Sequence, residues 1–173
     1  IKLSEESNLK SYENTIIGNT VLYGATSGKL YASGKAGERF AVRNSGAISV
    51  IEGCDSNGCE YMTGGTVVIL GDVGDNFAAG MTGGMGFVYD KNKLFSKKVN
   101  SETVLWQTPE TDYWKDYLKS LIKEHVKYTG SQISQDILDN FENELTNFLQ
   151  VCPKEMLDKL KNPISTRSMV KEV

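Results

Sequence analysis

Residues 58–84 read GCEYMTGGTVVILGDVGDNFAAGMTGG, and this stretch holds the pattern that decides the fold. A glycine is followed three residues later by an aromatic residue and then by small residues, at Gly58–Tyr61 and again at Gly74–Phe77. The same phrase occurs upstream at Gly28–Tyr31 and at Gly37–Phe40. Self-similarity of this kind is typical of stacked-coil architectures, in which each repeat buries its apolar side against its neighbours.

Short apolar runs, rich in β-branched and aromatic residues, lie between the glycines and predict strands. The runs are Thr20–Tyr23, Phe40–Val42, Ala47–Ile51, Thr66–Leu70 and Phe87–Tyr89. They are apolar almost throughout, which is typical of parallel strands buried on both faces. Broad glycine corners separate them, so the pattern favours a single-stranded right-handed parallel β-helix over a sandwich. We expect coils of roughly 16–21 residues, with the aromatic residue of each phrase pointing inward.

From Thr108 onwards the pattern is helical. Thr108–Glu110 combines an N-cap residue, a proline suited to the first turn and an acid, so a helix is predicted to begin there and to end at Gly130. A second helix is predicted from Ser131, with an apolar side that continues to Phe148 and Leu149. A short helix is predicted around Lys154–Lys161.

The chain thus divides into an extended arm or loop (1–15), β-helix coils (16–107) and a C-terminal helical appendage (108–173). The last residues, from Asn162, are expected to form a frayed tail. Because residue 1 is Ile rather than Met, we expect a fragment of something longer. Our hypothesis is that the first coil has an open edge, covered by residues 1–15 or by a neighbouring molecule through self-association.

Composition excludes several classes of function. The chain has 173 residues, a net charge of -3 and a pI near 5.3, which argues against nucleic acid or an anionic membrane as a partner. The sequence contains no run of about 18 apolar residues, which is the length needed to cross a membrane. Three cysteines at irregular spacing argue against a disulfide framework. We therefore expect a reducing compartment, either the cytoplasm or an organelle matrix.

No motif for phosphate, metal or nucleophilic chemistry is present. Gly34-Lys35-Ala36 is the nearest approach to a P-loop, and it lacks the first glycine and the hydroxyl residue. Cys54 and Cys59 have no second ligand pair, and the single histidine, His125, is far away in the sequence. Serine or cysteine catalysis would rest on His125 alone. We predict no catalytic, cofactor-binding or metal-binding residue in this chain.

The charged residues near the glycine corners have a simpler interpretation than catalysis. The acids Glu38, Glu52, Glu60 and Asp75 are scattered, and no groove of acids and aromatic residues supports a carbohydrate-active β-helix. Arg39 and Arg43 are expected to pair with Glu38 or Glu60 between coils. His125 follows Leu121 by four residues on the apolar side of its helix, so a partly buried, hydrogen-bonded histidine is expected.

The long phrases at residues 18–48 and 58–85 resemble the C-terminal, GXGXG-type β-helix domain of the glutamate synthase large (alpha) subunit. The segments around Asn100–Val104 and Phe148–Lys154 are similar to the region that closes that subunit. The resemblance covers nearly the whole chain. It implies a β-helix with helices packed after it, in an enzyme that makes two L-glutamates from L-glutamine and 2-oxoglutarate with a reductant.

The same resemblance implies partners and cofactors that lie elsewhere. An N-terminal amidotransferase domain releases ammonia, and a central barrel carries FMN and an iron–sulfur cluster. A reductase part, where present, adds FAD and NAD(P)H. The β-helix is then a non-catalytic domain that holds these parts in register, and this chain alone would be inactive. The alternative is a stand-alone β-helix that serves in assembly or binding and is related to a subunit of formylmethanofuran dehydrogenase.

Overall fold

A stack of parallel coils forms the centre of the molecule in the computed structural model, which describes residues 1–165. The strands of the stack are β1 (Thr15–Ile17), β2 (Lys29–Ala32), β3 (Lys35–Ala36), β4 (Ser45–Ile51), β5 (Thr63–Ile69) and β6 (Gly83–Tyr89). Strands β2, β4, β5 and β6 are parallel neighbours in one sheet, and β1 pairs with β3 on a second side. The predicted mainly β, β-helix class is confirmed.

The coils have nearly equal lengths. Ile48 lies opposite Lys29, Thr66 opposite Ile48, and Met85 opposite Thr66, so each coil takes 18 or 19 residues. Single parallel bridges continue the second side from β3 through Cys54 to Val73. The coil length lies within the range expected from the spacing of the glycine phrases.

The third side of the coils has an unusual backbone, and we call it the turn face (residues 20–24, 39–43, 57–61 and 76–80). Every second residue there has a positive φ, as at Arg39 (61°), Ala41 (57°) and Arg43 (54°). The N–H of Arg43 donates to the carbonyl of Glu60 in the next coil at 2.9 Å, and the N–H of Ala41 donates to Val21 in the previous coil at 2.9 Å. The coils are therefore hydrogen-bonded to each other on this side without β-strand geometry.

Two predicted strands were wrong because they lie on the turn face. Thr20–Tyr23 and Phe40–Val42 alternate between positive and negative φ, and no strand forms at either. The prediction that the aromatic residues point inward is confirmed for Phe40 and Phe77, which belong to the core inside the coils. It is wrong for Tyr31, which packs in the outer core with α1, and for Tyr61, which is 52% exposed. Since a coil takes 18 or 19 residues, Gly58 rather than Tyr61 lies at the coil position of Phe40 and Phe77.

The elements after the coils are β7 (Val104–Gln107), α1 (Asp112–Thr129), α2 (Gln132–Asp139), α3 (Phe141–Glu144) and β8 (Phe148–Pro153). Strand β8 pairs antiparallel with both β6 and β7, so the predicted helical appendage also supplies a strand that covers the edge of the last coil. The extension of the second helix to Phe148 and Leu149 was wrong. Both residues are apolar, but they alternate across a strand rather than along a helix.

The helix boundaries follow the capping residues. Helix α1 begins after Thr111 rather than at Thr108, and it ends at Gly130, whose φ of 68° confirms the predicted C-cap. Ser131 caps α2, because its hydroxyl accepts the N–H of Ser134 at 3.3 Å. The residues at 154–159 form a short 3-10 helix.

Two apolar cores lie on opposite faces of the same sheet. Val67 and Ile69 point into the coils, where they pack with Phe40 and Phe77. Val68 lies between them in sequence and points outward, where α1 covers it with side chains such as Leu118. This two-sided burial explains why the strands are apolar throughout instead of alternating.

Both ends of the described chain pack against the body. The N-terminal nitrogen of Ile1 donates to the carbonyl of Tyr31 at 2.7 Å, and the Asn14 carbonyl accepts from the N–H of Lys35 at 2.9 Å, so both ends of the segment 1–15 contact the first coils. The prediction of a frayed tail is wrong for residues 162–165, because Ile164 is buried and the carbonyl of Asn162 accepts a hydrogen bond from the Trp114 indole. Residues 166–173 lie outside the described part.

Candidate functional site

Glu52 is the centre of a buried polar cluster between the coils and the helices. It directly follows β4 and is only 1% exposed. Its Oε1 atom accepts the Ser33 hydroxyl at 3.0 Å and the Ser131 hydroxyl at 2.5 Å. The Nε2 atom of His125 lies 3.6 Å from the same oxygen. Three separate segments therefore converge on one carboxylate.

The Glu52 carboxylate remains ionised because its neighbours compensate for burial. Burial alone would raise the pKa of Glu52, but the nearby His125 imidazole and the hydroxyls of Ser131, Ser11 and Ser33 outweigh burial and lower the pKa below its ordinary value. Ser131 also caps α2, so one hydroxyl joins the start of that helix to the coils. The cluster thus attaches the helices to the sheet.

The order of groups in this cluster does not suit nucleophilic catalysis. In a catalytic triad the imidazole lies between the hydroxyl and the acid, so that it can take the proton of the nucleophile. Here the acid lies between the other two groups: Ser131 donates to Glu52 Oε1, and His125 Nε2 lies 3.6 Å from the same oxygen without forming a hydrogen bond. The Ser131 hydroxyl donates a hydrogen bond to the ionised Glu52 carboxylate, and Ser131 is only 2% exposed. The geometry fits a structural connection.

The sequence did not predict this convergence, and it placed His125 only partly in the core. His125 is fully buried, with its ring centroid 6.2 Å from that of Tyr31. Neither ring nitrogen has a hydrogen-bond partner within residues 1–165, so the predicted hydrogen bond of this histidine was wrong. Glu52 and His125 are far apart in sequence, so only the fold brings them together. The available signals were the Ser131 cap and an acid that directly follows the apolar strand at Ile51.

The other acids near the corners stay apart from each other. Asp75 pairs with Lys98 at 2.7 Å on the surface. Within residues 1–165 no ion pair joins Arg39 or Arg43 to Glu38 or Glu60, so the predicted inter-coil pairs were wrong. The two arginines instead project from the turn face as exposed residues.

The cysteines and the glycine-rich stretch have structural positions. All three cysteines are buried free thiols, and burial raises the pKa of the Cys54 thiol to about 12. Gly34 lies against Ile16, where a Cβ atom would be 2.2 Å from the Ile16 Cγ2 atom, and the following Lys35 and Ala36 form β3. That segment is a coil corner rather than a phosphate-binding loop. Among residues 1–165, no group of three or more potential metal ligands comes together.

A ladder of asparagines runs along the outside of the stack. The amide of Asn76 donates to Asn57 at 2.9 Å, and the amide of Asn100 donates to Asn76 at 3.0 Å. These bonds join neighbouring coils at the solvent edge.

None of the helices in the described part is long and apolar enough to cross a membrane.

Comparison with known proteins gives a consistent family. The family model for the GXGXG motif matches residues 1–154. The glutamate synthase [NADPH] large chain of Azospirillum brasilense is 58% identical over 164 residues, which is 95% of this chain and 11% of that protein. The glutamate synthase [NADH] of Schizosaccharomyces pombe is 48% identical over 96% of this chain. The ferredoxin-dependent glutamate synthase 2 of a Synechocystis strain is 49% identical over 84% of this chain. The chain spans about a tenth of the length of such relatives.

Proposed function

Because the chain belongs to the GXGXG-motif family and corresponds to a partial domain of the glutamate synthase large chain, we propose that it is the non-catalytic β-helix that holds that enzyme's active domains in register. The observation that carries this proposal is the 58% identity over 95% of the chain. At that identity the fold and the core packing are shared along the whole alignment. The proposed activity of the whole protein is the synthesis of two L-glutamates from L-glutamine and 2-oxoglutarate.

The relatives support a role that is independent of the electron donor. Their names specify NADPH, NADH and ferredoxin, yet each is 48–58% identical to this chain. A domain that bound the donor would have to change its binding surface between a nucleotide and an iron–sulfur protein. We therefore place donor binding in other parts of the longer protein.

We assign the cofactors of the enzyme to other domains as well. FMN and the iron–sulfur cluster belong to the central barrel, and ammonia release belongs to the amidotransferase domain. In this chain, Glu52 and His125 serve to attach the helices to the coils, and the coils provide a rigid spacer. Solenoids suit such a role, because each coil contacts only its neighbours and the stack behaves as a rod of fixed length.

The proposal is tested with Glu52→Gln and His125→Gln in the full glutamate synthase polypeptide. Both variants lower the melting temperature, because they disturb a buried cluster. At a temperature where the variants remain folded, kcat for glutamate synthesis and for glutamine hydrolysis stays within about twofold of the parent, since losing a catalytic acid or base costs about 100-fold or more. A fall of about 100-fold in either kcat with unchanged flavin content would contradict the proposal.

A further inference from the structure

Asn57 and Gly58 form a dipeptide on the turn face in which an amide side chain precedes a residue without a side chain. Asn57 has a φ of 62°, a left-handed conformation that asparagine adopts readily. Gly58 is buried, and a Cβ atom there would be 2.9 Å from the Cys54 Sγ atom and 3.0 Å from the Phe77 ring. The backbone and the packing of this coil therefore suit asparagine and glycine at these two positions.

The backbone nitrogen of Gly58 is available as a nucleophile. Within residues 1–165 its N–H has no hydrogen-bond partner, although the N–H groups on either side are paired. Asn57 donates to the Asp75 carbonyl at 2.8 Å, and Cys59 donates to the Phe40 carbonyl at 2.8 Å. An amide nitrogen can attack a carbonyl only after its N–H leaves its hydrogen bond, so pairing protects the two neighbours and leaves Gly58 unprotected.

The side chain of Asn57 has a hydrogen-bond donor at the oxygen that gains charge during such an attack. The amide of Asn76 donates to Asn57 Oδ1 at 2.9 Å. Attack on the side-chain carbonyl places negative charge on that oxygen, and a donor already in position stabilises the charge. Asn57 is only half-buried, so water reaches the products of the reaction.

Asn76, in the next coil, has the same side-chain arrangement but a protected backbone. Its φ is 58°, and its Oδ1 atom accepts the Asn100 amide at 3.0 Å. The N–H that follows it belongs to Phe77 and donates to the Lys98 carbonyl at 3.0 Å. The Phe77 side chain also hinders the approach of its nitrogen, whereas glycine has no side chain. The two asparagines therefore differ mainly in the attacking group.

We propose that Asn57 is a modification site, at which this chain converts its own asparagine to aspartate and isoaspartate. The Gly58 nitrogen loses its proton and bonds to Asn57 Cγ, the Cγ–Nδ2 bond breaks, and the amide nitrogen leaves with that proton as ammonia. The product is a cyclic succinimide. Water then breaks one of the two ring C–N bonds and opens the ring to aspartate or isoaspartate. The inference is independent of the proposed function.

Isoaspartate changes the coil more than aspartate does. The main chain then runs through the former side chain and is longer by one carbon atom. The N–H groups of Asn57 and Cys59 bond to the coils on opposite sides, to Asp75 and to Phe40, and the extra atom lies between them. Formation of isoaspartate therefore breaks hydrogen bonds between coils and loosens the stack at this point.

Tandem mass spectrometry of the folded full polypeptide, incubated in mildly alkaline buffer and then digested, tests the inference. Deamidation adds about 1 Da, and fragment ions locate the change and distinguish isoaspartate from aspartate. We expect Asn57 to be converted at least about tenfold faster than Asn76 in the same sample. The control is the same polypeptide unfolded in urea, where no hydrogen bond protects Asn57. Conversion of Asn57 in urea but not in the folded polypeptide would overturn the inference.

The contribution of Asn76 is tested separately with Asn76→Gly, which keeps a residue suited to the left-handed conformation and removes the donor. We expect Asn57 to be converted about tenfold more slowly in this variant. Asn100→Ser is the matched control, because it removes the other bond of the ladder without touching Asn57, and it leaves the rate unchanged. Conversion that is as fast or faster in Asn76→Gly would contradict the role of Asn76.

Discussion

Gly83→Ala is the substitution for which the coil geometry gives the most definite prediction. Gly83 begins β6, and a Cβ atom there would lie 2.0 Å from the carbonyl oxygen of Thr63 in the previous coil. A carbon–oxygen contact needs about 3.2 Å, so two coils would have to move apart by about 1 Å. The obstacle is backbone, and the N–H groups of Thr82 and Gly83 both donate to the Met62 carbonyl beside it. The clash therefore weakens the hydrogen bonds between the coils.

We estimate the net loss of stability from two opposing effects. Overpacking against backbone costs about 3 kcal/mol, and the smaller conformational freedom of alanine in the unfolded chain returns about 0.5 kcal/mol. The net destabilisation of about 2.5 kcal/mol corresponds to a fall in melting temperature of roughly 5–10 °C for a chain of this size. Urea unfolding of this chain, followed by circular dichroism, measures both the midpoint and the slope.

Gly18→Ala is the matched control, because no atom lies within 4 Å of a Cβ at that position and its φ is not in the left-handed region. We expect it to be neutral or stabilising by about 0.5 kcal/mol. Equal stability of the Gly83→Ala variant and the parent chain would refute the coil spacing. Equal destabilisation by Gly18→Ala and Gly83→Ala would show that backbone propensity, and not the clash, determines the effect.

Three further predictions concern side chains. The lowered pKa of Glu52 contributes stability that is complete above the ordinary carboxyl pKa and is lost as the pH falls through the folded value. Glu52→Gln therefore costs about 1–3 kcal/mol of unfolding free energy at pH 7 and flattens the acid side of the curve of stability against pH. An unchanged acid side of that curve would count against the cluster. Asn76→Ala removes the asparagine hydrogen bonds and places alanine at a left-handed position, so the free energy of unfolding measured with urea falls by about 1–2 kcal/mol. Asn76→Gly lowers it less, because glycine adopts the left-handed conformation readily; the reverse order would be inconsistent with the ladder. Cys54, Cys59 and Cys152 stay unmodified by a thiol reagent until the chain unfolds, because burial raises the pKa of each thiol; rapid labelling of the native chain would disagree.

Sequence patterns predicted the sheet well but not the turn face. Ala47–Ile51, Thr66–Leu70 and Phe87–Tyr89 overlap β4, β5 and β6, because β-branched residues buried on both faces leave a clear signal. Phe40–Val42 carries the same apolar residues, yet its backbone alternates between positive and negative φ. Apolar composition indicates that a segment is buried but not which backbone conformation it adopts. Alanine and valine give no local indication that every second residue has a positive φ. Only the spacing of equivalent residues across several coils could have indicated it.

The C-terminal segment and the polar cluster depended on contacts that are remote in sequence. Phe148 and Leu149 continue the apolar spacing of a helix, but the unpaired edge of β6 draws them into β8. The polar cluster at Glu52 required the sheet, α1 and the cap of α2 to be assembled first. By contrast, Gly130 and Ser131 were predictable, since helix caps depend on local backbone chemistry.

We propose that this β-helix aligns the domains of the longer glutamate synthase polypeptide without taking part in the chemistry. The most direct measurement is the number of glutamine molecules hydrolysed per molecule of reductant oxidised by the full polypeptide that carries Gly83→Ala. We expect this ratio to rise above that of the parent enzyme while flavin content is unchanged, because misaligned domains would lose the ammonia that the proposed amidotransferase domain releases. An unchanged ratio in a polypeptide whose β-helix is shown to be loosened would contradict the account.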